Sequence, residues 1–164
     1  ADEGRILIGE RQVAFEINTL LYLSNRIDAV FPAYDAHIPK EFTKEVRFDR
    51  PAFLNAIKRA AIISAERTNS IILRFENNRA TFTARTFEVG SYKGAIDVTY
   101  DGEPFDIAFN HQYLSDAFRV IESDQIIMKV KQNTSPVIFV NPDYDKSLAL
   151  VMPIKVTEAA DGAM

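Results

Sequence analysis

No cysteine occurs among the 164 residues, so neither a disulfide framework nor thiolate chemistry is open to the chain. A reducing cytoplasm suits that composition and is the expected location. The six glycines are scattered singly, which excludes a loop that cradles phosphate with consecutive backbone amides. Only two histidines are present, His37 and His111, and no H-x-x-x-H or H-E-x-x-H spacing joins them. No apolar run reaches the ~18 residues of a membrane span. The first residues lack a charged-then-apolar signal pattern, so a soluble protein with no membrane role is expected. The formal net charge of −4 argues against a surface that wraps nucleic acid from all sides, while leaving room for a local basic patch. Nucleophile, base and oxyanion donor cannot be assembled from any one stretch, so neither catalysis nor a cofactor is expected.

What the chain does have is an apolar content of 47%, enough for a core, and a regular alternation of strand and helix signals. Residues 5 to 24 read as three strands with turns at Gly9-Glu10 and Asn18, too small a meander to bury an apolar face alone. Phe31 to Pro39, with two prolines and no period, reads as a linker. After the strand T-K-E-V-R-F-D, Asp49 is an N-cap and Pro51 sits just inside, which predicts a helix running toward Glu66. Its apolar side carries Phe53, Ile57, Ala60, Ala61 and Ser64; its polar side carries Asn55, Lys58, Arg59 and Glu66. Ile62 falls within the polar stripe and Ile63 at its edge, a pair expected to face something outside the domain.

Further strands follow at 70–76, 79–85 and 92–100, with hairpin turns at Asn77-Asn78 and Asp101-Gly102. A second helix is expected over His111 to Glu122, then strands at 125–131, 136–140 and 147–155, and a disordered tail from Thr157. Val46-Arg47-Phe48-Asp49 aligns with Ile107-Ala108-Phe109-Asn110 at an offset of 109 − 48 = 61, and the match runs on into both helices. The expected fold class is therefore α+β, a duplicated β-α-β-β-β unit with two helices on one side of antiparallel sheets.

Lys58, Arg59 and Arg119 put cations on the same side of the helix layer, which suits a phosphate backbone or simply a solvated face. The last strand ends in Met152-Pro153-Ile154, either an edge that forms a peptide groove or a core strand leaving its sheet. Asp35 with His37, and Asp143-Tyr144-Asp145, can be read as weak metal or ligand sites of a small α+β enzyme, or as linker and turn.

Five separated motifs now fall into one order: F-P-A-Y-D-A-H-I-P, K-R-A-A-I-I-S-A-E-R, Y-D-G-E-P-F-D-I-A-F-N-H-Q-Y-L-S-D-A-F, S-P-V and L-V-M-P-I-K. In that order the chain resembles the C-terminal part of the bacterial replication sliding clamp, the β subunit of DNA polymerase III, over about residues 5 to 156. The resemblance implies a DNA-clamp fold: residues 1–40 would be the end of the middle domain with its linker, 41–156 the complete C-terminal domain, and 157–164 a tail. It implies a non-enzymatic processivity factor of DNA replication that encircles double-stranded DNA as a homodimeric ring. Partners would be DNA polymerase III subunits, the clamp loader and other proteins carrying Q-L-x-L-F-like motifs. The peptide groove would be lined by Pro32, His37, Asn110, Tyr113, Thr134, Leu150, Met152, Pro153, Ile154 and Lys155. Asn110 would also cap its helix and Tyr113 would lie partly in the core. Ile62, Ile63 and Glu88 would form the ring interface, and Lys58, Arg59 and Arg119 would face DNA. The chain departs from the family where Asp35-Ala36 replaces an arginine pair, and where V-G-S-Y-K replaces an acidic strand. With most of the ring's other domains absent, this chain would be a monomer or a non-ring oligomer.

Overall fold

Asp49 does what its position predicts: its carboxylate accepts from the Ala52 N–H at 2.8 Å and starts helix α1, Arg50–Ser64. The structure is a computed structural model that describes residues 4–64, 69–86 and 90–155; Glu66, Glu88 and the tail from Thr157 lie outside them. The chain divides into two compact units, Ala1–Tyr34 and Asp35–Met164, with a single 3-10 turn, Tyr34–His37, at the division.

The first unit is an antiparallel meander of β1 (Gly4–Ile8), β2 (Gln12–Ile17) and β3 (Leu20–Asn25). Asn18 takes a positive φ of 51°, which lets Ile17 pair with Leu20 across a two-residue turn. Arg26 closes the other end by donating to the carbonyls of Gly9 and Glu10. Ile6, Ile8, Leu21 and Leu23 all remain exposed, because three strands have no second layer to pack on.

The described residues of the second unit form both helices and eight strands. In chain order these are β4 (Lys44–Asp49), α1, β5 (Ser70–Glu76), β6 (Arg79–Thr86) and β7 (Gly90–Asp97), then β8 (Phe105–Asn110), α2 (His111–Arg119), β9 (Gln125–Val130), β10 (Val137–Asn141) and β11 (Tyr144–Val151). That is β-α-β-β-β twice. The pairing adds what local pattern cannot give: each repeat lends its first strand to the other. One sheet runs β11-β10-β9-β4 and the other β7-β6-β5-β8. Phe48 pairs with Ile126 as Phe109 pairs with Ile71, so the offset of 61 before the helix becomes 126 − 71 = 55 after it. The second copy is therefore six residues shorter between its first two strands.

The two sheets are also tied to each other twice. Arg47 bridges Thr99, and Ala108 bridges Ile154. These bridges are equivalents under the duplication, since 108 − 47 = 61 and 154 − 99 = 55. Strand β7 accordingly stops at Asp97 and not at the expected Tyr100, because Thr99 exchanges two backbone hydrogen bonds with Arg47. Strand β11 begins at Tyr144, three residues early, and ends at Val151, four before Lys155, where Met152 and Pro153 leave the ladder.

Phe48, Phe53, Phe82, Phe118 and Phe139 meet at the centre, drawn from both sheets and both helices. Helix α2 ends at Arg119, three residues before the expected Glu122. The Arg50 guanidinium donates to the carbonyls of Phe118 (3.2 Å) and Ser123 (2.6 Å), so a side chain caps the helix end in place of another turn. Among the described residues, no helix is long and apolar enough to cross a membrane.

Candidate functional site

The end of the sheet where β11 stops gathers most of the groove candidates of the second unit. Val151 is buried and pairs with Val137, so the turn before β10, which carries Thr134, lies beside the chain after β11. Ile154 N–H then donates to Ala108 O at 2.7 Å. Continuing that antiparallel register by two residues sets Met152 level with Asn110. Asn110 caps α2, its side-chain oxygen accepting from Gln112 N–H at 2.8 Å, and Tyr113 follows in the first turn.

Tyr113 is 64% exposed and Met152 55%, two large apolar side chains at one corner of the fold. Leu150, Pro153 and Ile154 are half-buried; Thr134 and Lys155 are exposed. The expectation that Tyr113 is partly core is corrected. Leu114, 100° further round the helix, takes the inward position, and Tyr113 projects to solvent. His37 is exposed in the 3-10 turn, and Pro32 belongs to the first unit.

The helix layer sorts the cations differently from the sequence pattern. Lys58 and Arg119 line one crevice of about 590 Å³ between α1 and α2, together with Leu54, His111, Gln112 and Ser115. Arg119 pairs with Asp116 at 2.9 Å. Arg59 is directed elsewhere, its Nε donating to the Tyr92 hydroxyl of β7 at 3.1 Å. Ile62 is 73% exposed, but Ile63 packs against the core. Its position seven residues after the fully buried Ala56 returns it to nearly the same stripe, so only one of the two isoleucines faces water.

His111 is the polar residue of this layer that the sequence reading left without a place. It is 9% exposed, its backbone N–H donates to Asn69 O, and its Nε2 has no hydrogen-bond partner among the described residues. Its spacing before Leu114 and Phe118, i, i+3 and i+7, was the available signal for burial. Burial lowers the His111 pKa from its ordinary value of 6.5. The folded chain therefore binds this proton less well than the unfolded chain does. Stability is full above about pH 6.5 and declines as pH falls toward the lowered folded value. Lys58, Asp116 and Arg119 share the crevice lining. Urea unfolding between pH 7 and pH 5 is expected to show this loss, and His111→Gln is expected to flatten it.

Among the described residues, the acidic candidates gather no cluster. Asp143 N–H donates to the Asn141 side chain in a turn, Tyr144 opens β11, and the Asp145 side chain lies outside the described set. Among the described residues, no group of three His, Cys, Asp or Glu side chains is placed to hold a metal ion.

Comparison with known proteins gives these placements a context. Residues 36–155 match the family model described as DNA polymerase III beta subunit, C-terminal domain. The beta sliding clamp of Caulobacter vibrioides is 35% identical over 149 residues, which are 91% of this chain and 40% of that protein. The beta sliding clamp of Synechococcus elongatus is 33% identical over 147 residues, 88% of this chain and 39% of its own length. Among solved structures, the DNA polymerase III subunit beta of Pseudomonas aeruginosa superposes with a TM-score of 0.83 at 28% identity, covering 93% of this chain and 42% of that one. The sliding clamp of Caulobacter crescentus gives a TM-score of 0.81 at 34% identity, over 93% of this chain and 40% of that one. This chain thus spans about 40% of the length of the relatives it matches.

Proposed function

Because this chain belongs to the DNA polymerase III beta subunit family, whose C-terminal domain it contains, we propose that it acts as the C-terminal portion of a replication sliding clamp. In this reading it is a cytoplasmic, non-enzymatic processivity factor. Residues 1–40 close a middle domain whose remainder would cover the bare meander, and residues 41–156 form the last domain of the ring. The corner at Tyr113 and Met152 receives the apolar motif of polymerases, the clamp loader and other partners, with His37 forming part of the wall. Ile62 meets the neighbouring subunit, supported by Ile63 from within and joined by Glu88.

One observation carries this reading. Two large apolar side chains are held outward: Tyr113 in the first turn of α2 after its Asn110 N-cap, and Met152 on a segment fixed at both ends by backbone pairing. A surface that exposes apolar area on a rigid frame loses little entropy when it binds a short peptide.

Lys58 and Arg119 face the DNA in the assembled ring, while Arg59, held by Tyr92, steadies the edge strand β7. Few cations are involved, so grip on DNA comes from enclosure and not from affinity. The isolated chain is accordingly expected to show no tight binding to short linear duplex DNA at physiological ionic strength, and saturable binding to a Q-L-x-L-F-type peptide. Fluorescence anisotropy with both ligands is the test. Tight duplex binding without peptide binding would refute the proposal.

A further inference from the structure

The chain has three methionines, and the two within the described residues are treated in opposite ways. Met128 on β9 is fully buried, whereas Met152 is 55% exposed. That exposure is fixed by the backbone. Val151, the last residue of β11, is buried and paired with Val137; two residues beyond Met152, Ile154 is anchored on Ala108 at 2.7 Å. Pro153 adds a third restraint by keeping the preceding residue out of the helical region. Met152 is presented to solvent by a rigid segment and not by a swinging loop.

From this placement we infer that Met152 is a reversible oxidation site, whose conversion to the sulfoxide by a hydroperoxide switches off the peptide corner. The switching half rests on the peptide-binding reading above. In the step, the thioether sulfur gives an electron pair to one oxygen of hydrogen peroxide. The S–O bond forms as the O–O bond breaks, and the second oxygen takes the proton of the transferred one and leaves as water. The sulfur loses two electrons and the peroxide gains them, so no other reactant is needed. Reduction to the thioether is the known chemistry of methionine sulfoxide reductases.

The fold should not object, because the new oxygen stays in water in the free chain. In the complex an apolar peptide side chain covers the same sulfur. The sulfoxide oxygen then has to give up its water contacts beneath an apolar side chain, which weakens binding. Met128, fully enclosed, is out of reach of peroxide while the domain is folded.

The experiment treats the whole chain with hydrogen peroxide, maps sulfoxide by peptide mass spectrometry, and checks the fold by circular dichroism. Affinity for a fluorescein-labelled Q-L-D-L-F peptide is then followed by anisotropy. Met152 is expected to oxidise at least about tenfold faster than Met128. The peptide dissociation constant is expected to rise about tenfold, equivalent to ~1.4 kcal/mol, and to return after reductase treatment. Met152→Leu has no sulfur at this place; whatever affinity it starts from, peroxide should leave unchanged, although Met128 and Met164 remain. Comparable oxidation of Met128 and Met152 in the folded chain would overturn the site. Met152 sulfoxide with undiminished affinity, or a peroxide-sensitive Met152→Leu chain, would overturn the switch. If the untreated chain binds no peptide, the groove reading fails with the switch, and the oxidation site is decided by the ratio of rates alone.

Discussion

Phe53→Ala is expected to lower the stability of the second unit by about 3–5 kcal/mol, the usual cost of removing a fully buried phenylalanine ring. Phe53 is 0% exposed, and its ring stacks on Phe48 at 4.0 Å between centroids and meets Phe82 and Phe118 edge-on at 4.9 and 5.4 Å. Those partners come from β4, β6 and α2, so one side chain joins both sheets and both helices. Because β4 pairs into the second repeat's sheet while α1 belongs to the first, a cavity here loosens the contact between repeats as well as the local packing. With a total stability of roughly 5–15 kcal/mol for a domain, such a loss takes a large share. Thermal unfolding followed by circular dichroism should show a midpoint drop on the order of 10–20 °C. A shift of only a few degrees would mean that the core is not centred on this ring.

Tyr113→Ala should act in the opposite way, leaving the fold and removing function. The side chain is 64% exposed and stacks on no other aromatic ring among the described residues, so the unfolding midpoint should move little. In the proposed corner its ring is the largest apolar surface beside Met152, the kind of aromatic anchor that dominates small interfaces. Affinity for the Q-L-x-L-F-type peptide is expected to fall about 30-fold, or ~2 kcal/mol. An unchanged dissociation constant would place the peptide away from α2. The pair of variants separates the two tasks that the proposal gives the helices: Phe53 holding the domain together, and Tyr113 meeting the partner.

Much of the second unit was legible from local signals. Asp49 and Asn110, each following an inward phenylalanine, announce both helices, and their common offset reveals the duplication before any coordinate is known. What local pattern cannot carry is partner choice between strands. Nothing in Val46 or Phe48 says that β4 will leave its own repeat and pair with β9, since the alternation is the same for either neighbour. The end of α2 is hidden from local pattern for a similar reason: the cap is the Arg50 guanidinium, distant in sequence.

Angular resolution set the other limit. Ile63 and Tyr113 sit near the boundary between helix faces, where one residue's rotation decides between core and water. The structure puts Ile63 inward and Tyr113 outward. The polar type of His111 masks its apolar spacing, which is what predicts its burial. Arg59 read as a free cation because its partner, Tyr92, lies on a strand with no fixed sequence distance from the helix. The meander was legible as strands, and its apolar residues are exposed on both faces of the sheet.

The central claim is that the corner where β11 ends against the start of α2 is a peptide-binding surface of a clamp's last domain. A heteronuclear NMR titration of the chain, carrying labelled methionine methyl groups and backbone amides, with a Q-L-x-L-F-type peptide tests it most directly. The Met152 methyl and the Tyr113 amide should shift together and saturate together, while the buried Met128 methyl stays in place. Saturable shifts confined to other surfaces, with Met152 and Tyr113 silent, would contradict the account.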